Sequence, residues 1–588
     1  MPRPFAPRAP CFTARALRFT LYVLLFALTA CLPDNSITLW GATPEVIPSP
    51  PSAWTATPTP FQPLWPTPTV TAPPSSVWIA PYAPAALQQA ARAWGLPLLA
   101  DPNSAALHLE AVSPQSPSPQ ATDSQAAWIY ALVTPFSTTL DGVTADYLRR
   151  GWAGVQSEPF AGRPLLMDES TLAVFTPMWG APAVGAVQVV PSDQLLDQAW
   201  AGQPSWALLP FEALEPRWKV LAIDGQSPIR KEFDPAGYPL VVTFRLQCDI
   251  PCPLATLPPF PATNRDPSKM TTLVMTGVTA LVRATAQKME TRGVVYPGRD
   301  IRDWLRQADI AHISNEIPFF EGCPLPNPNQ PGLVFCSDPK YIGLLEDVGA
   351  DVVELTGNHF HDYGEAAMLY TLKMYTERSL SYYGGGADLE EARRPLMLEH
   401  NGNELAFIGC NPVDPLNILA DENRPGAAPC DFDYLVAQIR QLRAQGYLPI
   451  ATFQHYESYA PTPTTEQARD FRMMADAGAL IVSGSQAHYA QMMEFYNGAF
   501  IHYGLGNLFF DQMDIPVKGT RREFLDRHVF YDGRYISAEL LTAMLEDFAR
   551  PRPMTSSERL DFLTYIFAAS GWGQDVKTPS PTPAQSRH

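Results

Sequence analysis

A layered α/β protein in two folded parts is what this sequence predicts, on three observations. From Thr271 to about Phe548, short apolar runs alternate regularly with amphipathic stretches, the pattern of strands and helices stacked in layers. At 588 residues the chain exceeds what one hydrophobic core usually serves. Its 62 prolines crowd into the first third and the last few residues, about twice the usual share, which marks those stretches as linkers.

The N-terminus reads as an export signal. Arg3, Arg8, Arg15 and Arg18 precede an apolar run from Phe19 to Ala30 with no acid among them, and that run is shorter than the roughly 20 residues a spanning helix needs. It ends in Leu28-Thr29-Ala30-Cys31, which resembles the lipobox of bacterial lipoproteins. The resemblance implies cleavage after residue 30 and diacylglycerol on Cys31. A lipid-anchored protein on the extracytoplasmic side of the cell membrane is the expectation. Residues 31–76, with phrases such as TATPTPF and WPTPTVTAPP, form a Pro/Thr-rich tether too poor in apolar residues to bury a core.

Residues 77–250 carry mixed signals of a smaller α/β domain. Pro84 to Trp94 has helical periodicity, whereas TLAVFTP (171–177) and GAVQVVP (185–191) read as short strands ended by proline. The stretch 206–228, WALLPFEALEPRWKVLAIDGQSP, resembles periplasmic solute-binding proteins of the phosphate-binding type, where strand, short helix and strand lead to a second lobe. A packing domain with no ligand of its own fits the same residues.

The second domain, 268–550, supplies strands TLVMT, DIAHIS, DVVELT, LAFIG, LPIATFQ, ALIVS and AFIHY. Helical stretches near 298–308, 338–348, 364–379, 431–445 and 465–477 lie between them. Residues 551–588 add a helix and a proline-rich tail. The formal net charge of -18 speaks against a nucleic-acid surface, which works by phosphate neutralisation. Beyond the signal and Cys31, six cysteines fall into sequence-local couples: Cys248 and Cys252, Cys323 and Cys336, Cys410 and Cys430. An even count in an exported chain reads as disulfides, with free thiols, or a metal knuckle at 248–252, as alternatives.

Chemistry concentrates where strands run into polar loops. DIAHIS leads to Asn315-Glu316, DVVELT to Gly357-Asn358-His359, LPIATFQ to His455, ALIVS to His488, and AFIHY to Asn507. Ligands of α/β sheets gather beyond the carboxyl ends of strands, so these loops are expected to converge. A carboxylate, an amide oxygen and imidazoles suit zinc, manganese or iron, although a lone His at a strand end more often only braces the scaffold.

Taken in order, TGVTALVRA, ISNEIPF, LTGNHFHDYGEAAMLYTL, YYGGGADLEEARRPLMLEHNGNELAFIGCN, QHYESYAPTPTTEQ, SGSQAH and IHYGLGNLFFDQ resemble successive blocks of the CapA family. These are poly-γ-glutamate capsule proteins with a four-layer, metallophosphoesterase-like fold. The resemblance implies a bridging carboxylate at Glu316 and metal ligands at Asn358, His455 and His488. It gives His359 the place of general acid, or of a residue supporting the ligands, beside substrate, oriented by Asp362. Asn315 and Asn507 are candidates to touch an anionic substrate, as is Arg283, although a surface salt bridge is the commoner fate of a lone Arg. Two cations about 3.5 to 4 Å apart would activate a water and stabilise an oxyanion.

The departures matter as much. Where the family reads Gly-Asp after the first strand this chain has Gly277-Val278, and Ser485 and Gln486 stand where further histidines are expected. Glu457 is a candidate substitute carboxylate. Losing an anionic ligand and an imidazole removes much of a binuclear site's affinity. Two readings therefore stay open. One is a metal-dependent hydrolase with one or two ions, acting in synthesis, anchoring or trimming of an extracellular anionic polymer. The other is a catalytically degenerate protein that binds polymer or a small anion without metal, or a solute receptor of the cell envelope led by residues 77–250. Oligomeric state is not legible.

Overall fold

The computed structural model describes residues 76–572, apart from 114–115, 117–123, 156, 249–256 and 414–415. The signal, Cys31, the tether, Cys252 and the tail beyond Trp572 lie outside the described residues.

The N-terminal lobe is one mixed sheet: β1 (Val77–Ile79), β2 (Leu107–Ala111), β3 (Ser124–Pro135), β4 (Leu165–Met167), β5 (Val187–Val189), β6 (Trp206–Pro210), β7 (Trp218–Val220) and β8 (Val241–Cys248). The spatial order is β1-β2-β8-β3-β6-β4-β5, with β7 beside β3. Helices α1 (Ala85–Arg92), α2 (Ala145–Trp152), α3 (Glu169–Trp179) and α4 (Leu195–Ala201) accompany it. Residues 171–177, expected as a strand, belong to α3. The Asp168 side chain accepts the Thr171 N–H and caps that helix, so a capped turn overrides a β-branched composition.

The C-terminal lobe stacks two sheets. The first holds β9 (Met270–Thr276), β10 (Val278–Thr279), β11 (Ile310–Asn315), β12 (Val352–Glu354) and β13 (Ser381–Tyr383). The second is built from β14 (Leu396–His400), β15 (Asn403–Cys410), β16 (Leu448–Phe453), β17 (Ile481–Gly484), β18 (Met493–Tyr496) and β19 (Ala499–His502). The chain then returns to the first sheet as β20 (Asn507–Phe509), β21 (Arg522–Tyr531), β22 (Arg534–Glu546) and β23 (Arg550–Pro553). The first sheet runs β13-β12-β11-β9-β21-β22-β23, with β10 bridging β11 and β20, and the second runs β14-β15-β16-β17-β19-β18.

Alternation along the strands divides each sheet's residues between its two faces. Leu273 and Met275 of β9 pack with Phe407, Ile450 and Ile481 between the sheets. Val274 faces outward onto Ala286, Leu305 and Leu345 of α5 (Arg283–Arg292), α6 (Arg302–Arg306) and α7 (Ile342–Val348). α8 (Gly364–Glu377) adds Met368 and Leu372 to the same layer. On the far side Ala451 and Val482 bury Ile439 and Phe471 of α9 (Phe432–Ala444) and α10 (Thr465–Ala477). The fold class is thus α/β, with a C-terminal lobe of four layers: helices, sheet, sheet, helices. Asp431 and Thr464 cap α9 and α10 by accepting the N–H groups of Tyr434 and Gln467.

The hairpin β21–β22 was not among the predicted strands. Its sequence, with AELLTAML inside, favours helix by local propensity, and long-range pairing to β9 overrides that preference. Its tip belongs to the other lobe, since Val529, Tyr531 and Ile536 are buried with Phe244 and Leu209. Reciprocally, Phe136 of the N-terminal lobe lies edge-on to Phe495, Phe500, Phe567 and Trp572. Helix α11 (Ser556–Ala569), opened by a Thr555–Glu558 capping box, supplies Phe567 to that cluster. Disulfides join Cys323 to Cys336 and Cys410 to Cys430. Cys248 ends β8, and its expected partner Cys252 is outside the described residues.

Candidate functional site

Two glycines let the strand-end loops approach. A Cβ on Gly277 would lie 2.0 Å from the Gly506 carbonyl oxygen, and one on Gly357 2.3 Å from that of Glu316, so no other residue fits either place. The loops after β9, β11, β12 and β19 are thereby drawn together at the carboxyl edge of the first sheet.

Glu316, 1 % exposed, is at the centre. Gln454 Nε2 lies 3.1 Å from Glu316 Oε1, 3.1 Å from Asn358 Oδ1, and closer still to Gln486 Oε1. His488 Nε2 stands 3.8 Å from Glu316 Oε1. The other ring nitrogen, Nδ1, bonds Asn507 Oδ1 at 2.8 Å, and Asn507 Nδ2 donates to the His488 and Thr520 carbonyls. Asn507 therefore fixes the imidazole from behind, and His488 holds a left-handed backbone (φ 50°), a strained state of the kind that clusters at functional sites.

Four other predicted residues are placed differently. His455 is buried but turned away, its Nε2 3.1 Å from Asp470 Oδ2 on α10. Asn315 Nδ2 donates to the Ile317 carbonyl and the Tyr375 hydroxyl, bracing its own loop. Arg283 is paired with Asp511 and lies over Phe335 and Phe510, so its charge is already neutralised. Glu457 is exposed and accepts from the Tyr459 hydroxyl.

Gln454 is the residue that sequence reasoning missed, and the signal was present. Ile450 packs between the sheets and Thr452 hydrogen-bonds Tyr383 there, so period-two alternation carries Gln454 to that face. Ala451 and Phe453 face α10, and His455 follows them. A one-residue difference in register decides which side chain reaches the site.

His359 and Asp362 form a second group. Asp362 Oδ2 bonds His359 Nδ1 at 2.7 Å and accepts the Phe335 N–H at 2.7 Å. Burial works against charging the imidazole, but the Asp362 hydrogen bond and the charges of Glu316, Asp362 and Glu457 outweigh it, and the His359 pKa is raised.

These residues do not fit a two-cation centre. The place of the expected aspartate is taken by Val278, fully buried between Ser314 and Asn507. The convergence point of Glu316, Asn358 and Gln486 is filled by an amide nitrogen. Among the described residues, no three His, Cys, Asp or Glu side chains are grouped to hold an ion. One carboxylate and one imidazole with neutral amides leave a hard divalent ion short of charge.

Residues 272–512 match the family described as bacterial capsule synthesis protein, PGA_cap. The PGA biosynthesis protein CapA of Bacillus subtilis is 30% identical over 177 residues, 30% of this chain and 47% of that protein. The capsule biosynthesis protein CapA of Bacillus anthracis is 25% identical over 302 residues, 50% of this chain and 72% of that protein. The chain thus spans about half the length of the first relative and somewhat more of the second. A 5'-nucleotidase precursor from Thermus thermophilus aligns over 51% of this chain and 59% of its own, at 13% identity and a TM-score of 0.31, too low to bear on function.

Proposed function

We propose, from the premise that residues 272–512 form a CapA-like domain of the bacterial capsule synthesis family, that this protein is an accessory factor for an extracellular anionic polymer of the poly-γ-glutamate type. In this reading it holds the polymer without hydrolysing it. Acylated Cys31 tethers it to the outer face of the membrane.

The observation that carries the reading is the amide cluster standing where a cation centre is expected. The Gln454 amide nitrogen stands among the oxygens of Glu316, Asn358 and Gln486, where an ion would otherwise be. The buried amide oxygen Gln454 Oε1 has no partner, and it can accept an N–H from a polyamide chain. His359, held by Asp362 and with its pKa raised, offers an imidazole donor to a carboxylate. An amide acceptor beside such a donor suits a polymer that repeats amide and carboxylate groups.

The test is titration of the mature protein with poly-γ-glutamate by calorimetry, alongside phosphodiester and γ-glutamyl hydrolysis assays with added manganese. Binding weakened roughly tenfold by His359→Ala or Gln454→Leu, without turnover, supports the reading. Manganese-dependent turnover, or no binding, overturns it. Membrane release by Cys31→Ala tests the anchor separately.

A further inference from the structure

Between the two lobes lies a cavity of about 360 Å³, remote from the sheet-edge cluster in sequence and lined by residues of both lobes. That is an ordinary size and location for a small-molecule site.

Its wall is charged in both senses. Lys219 of β7 reaches Asp141 Oδ1 at 2.8 Å and the Thr138 carbonyl at 2.8 Å, which engages two of its three N–H donors. Arg559 of α11 holds both oxygens of the same aspartate, each at 2.9 Å. Opposite them, Arg230 donates to Glu539 Oε1 of β22 at 2.9 Å. Two buried atoms are left over. Glu539 Oε2 has no hydrogen-bond partner, only a looser ion pair with Arg527 at 3.6 Å. Ser227, 6 % exposed, has an Oγ with no partner either. Buried polar atoms without partners are uncommon because each costs desolvation, and here two of them belong to residues that line one cavity.

An anion alone would leave the carboxylate oxygen unanswered, and a cation alone would meet three basic groups. A ligand carrying both charges answers each side. Burial also pushes Lys219 down to about 8 despite Asp141 beside it, so an incoming carboxylate would restore charge stabilisation that the cavity withholds.

We propose that this inter-lobe cavity binds a small zwitterion of the amino-acid or short-peptide class, its ammonium on Glu539 Oε2 and Ser227 Oγ and its carboxylate on Lys219. The site is independent of the polymer reading above.

The experiment is a thermal-shift screen of the mature protein against the twenty amino acids and glycylglycine at millimolar concentration, followed by calorimetry. At least one zwitterion should raise the melting temperature, while its N-acetyl and amidated forms and inorganic phosphate should not. Glu539→Gln should weaken the affinity roughly tenfold or more. Ser227→Ala, a milder change, keeps the test readable should Glu539→Gln fail to fold. No stabilisation by any zwitterion overturns the proposal. So does equal stabilisation by phosphate or by the blocked ligands, or affinity unchanged in a folded variant.

Discussion

At the sheet edge, the buried Glu316 has neutral amides for its nearest partners and one imidazole 3.8 Å away. In the inter-lobe cavity, Asp141, Lys219, Arg230, Glu539 and Arg559 meet as ion-pairing groups, and hydrogen-bonding capacity on Glu539 is left over. The difference teaches that resemblance to a family and uncommitted chemistry need not coincide in one molecule. Exchanging charged ligands for amides leaves a buried cluster with fewer charges to desolvate, so less of its stability depends on an ion. A cavity that keeps its charges stays dependent on what enters it.

The strongest way to break this contrast is to remove a wall of the cavity. Phe136, 3 % exposed, roofs it against Phe567; truncation to alanine should cost about 3–5 kcal/mol by loss of burial and creation of a void, read by urea denaturation. A loss below about 1 kcal/mol would mean the lobes do not depend on each other.

Next in size is an attempt to erase the difference at the sheet edge. Val278→Asp with Gln454→His and Gln486→His should create manganese or zinc binding at least ~10-fold tighter than in the parent, since one anionic and two imidazole ligands are supplied. Metal analysis of both proteins decides it, and stoichiometric metal in the parent would mean that the amide cluster yields to an ion after all. Should the triple variant not fold, the two glutamine substitutions alone should give a smaller gain.

A smaller effect concerns the helix that carries Arg559 into the cavity. Thr555→Ala removes half of the capping box and should cost about 1 kcal/mol, seen as a lower melting temperature with the zwitterion response retained.

The smallest sits on one side chain. Asp362→Asn should lower the His359 pKa, followed by the imidazole NMR resonance, and an unchanged value would show that the neighbouring glutamates dominate. The sign follows from linkage. His359 is raised in the folded state, so its contribution to stability is complete below the unfolded pKa and fades as pH rises through the folded one. The variant should show a weaker dependence over that window.

Much of this was legible in the sequence. The helix expected at 465–477 is found as Thr465–Ala477 and the one at 364–379 as Gly364–Glu377, because apolar periodicity and polar caps are local properties. The loops bearing Glu316, Asn358 and His488 could be placed at strand ends for the same reason. What was not legible depends on partners far along the chain. The β21–β22 hairpin carries helix-forming residues and becomes strand only through β9. Arg283 could be read as a substrate contact or a salt bridge until the fold brought Asp511, 228 residues away, against it. Gln454 was passed over for His455 because imidazole draws attention as a ligand, whereas strand alternation, also in the sequence, favours the glutamine.

The β21–β22 hairpin has one more effect. Leu525 and Ala543 are buried beneath the helices of the first sheet, while Val529, Tyr531 and Ile536 are buried in the neighbouring lobe. One ribbon is therefore a keel common to both hulls, and neither can be launched alone. Heating should melt residues 76–572 in a single calorimetric step, and a fragment cut at 268–550 should be sticky, with an aromatic and aliphatic seam laid open to water.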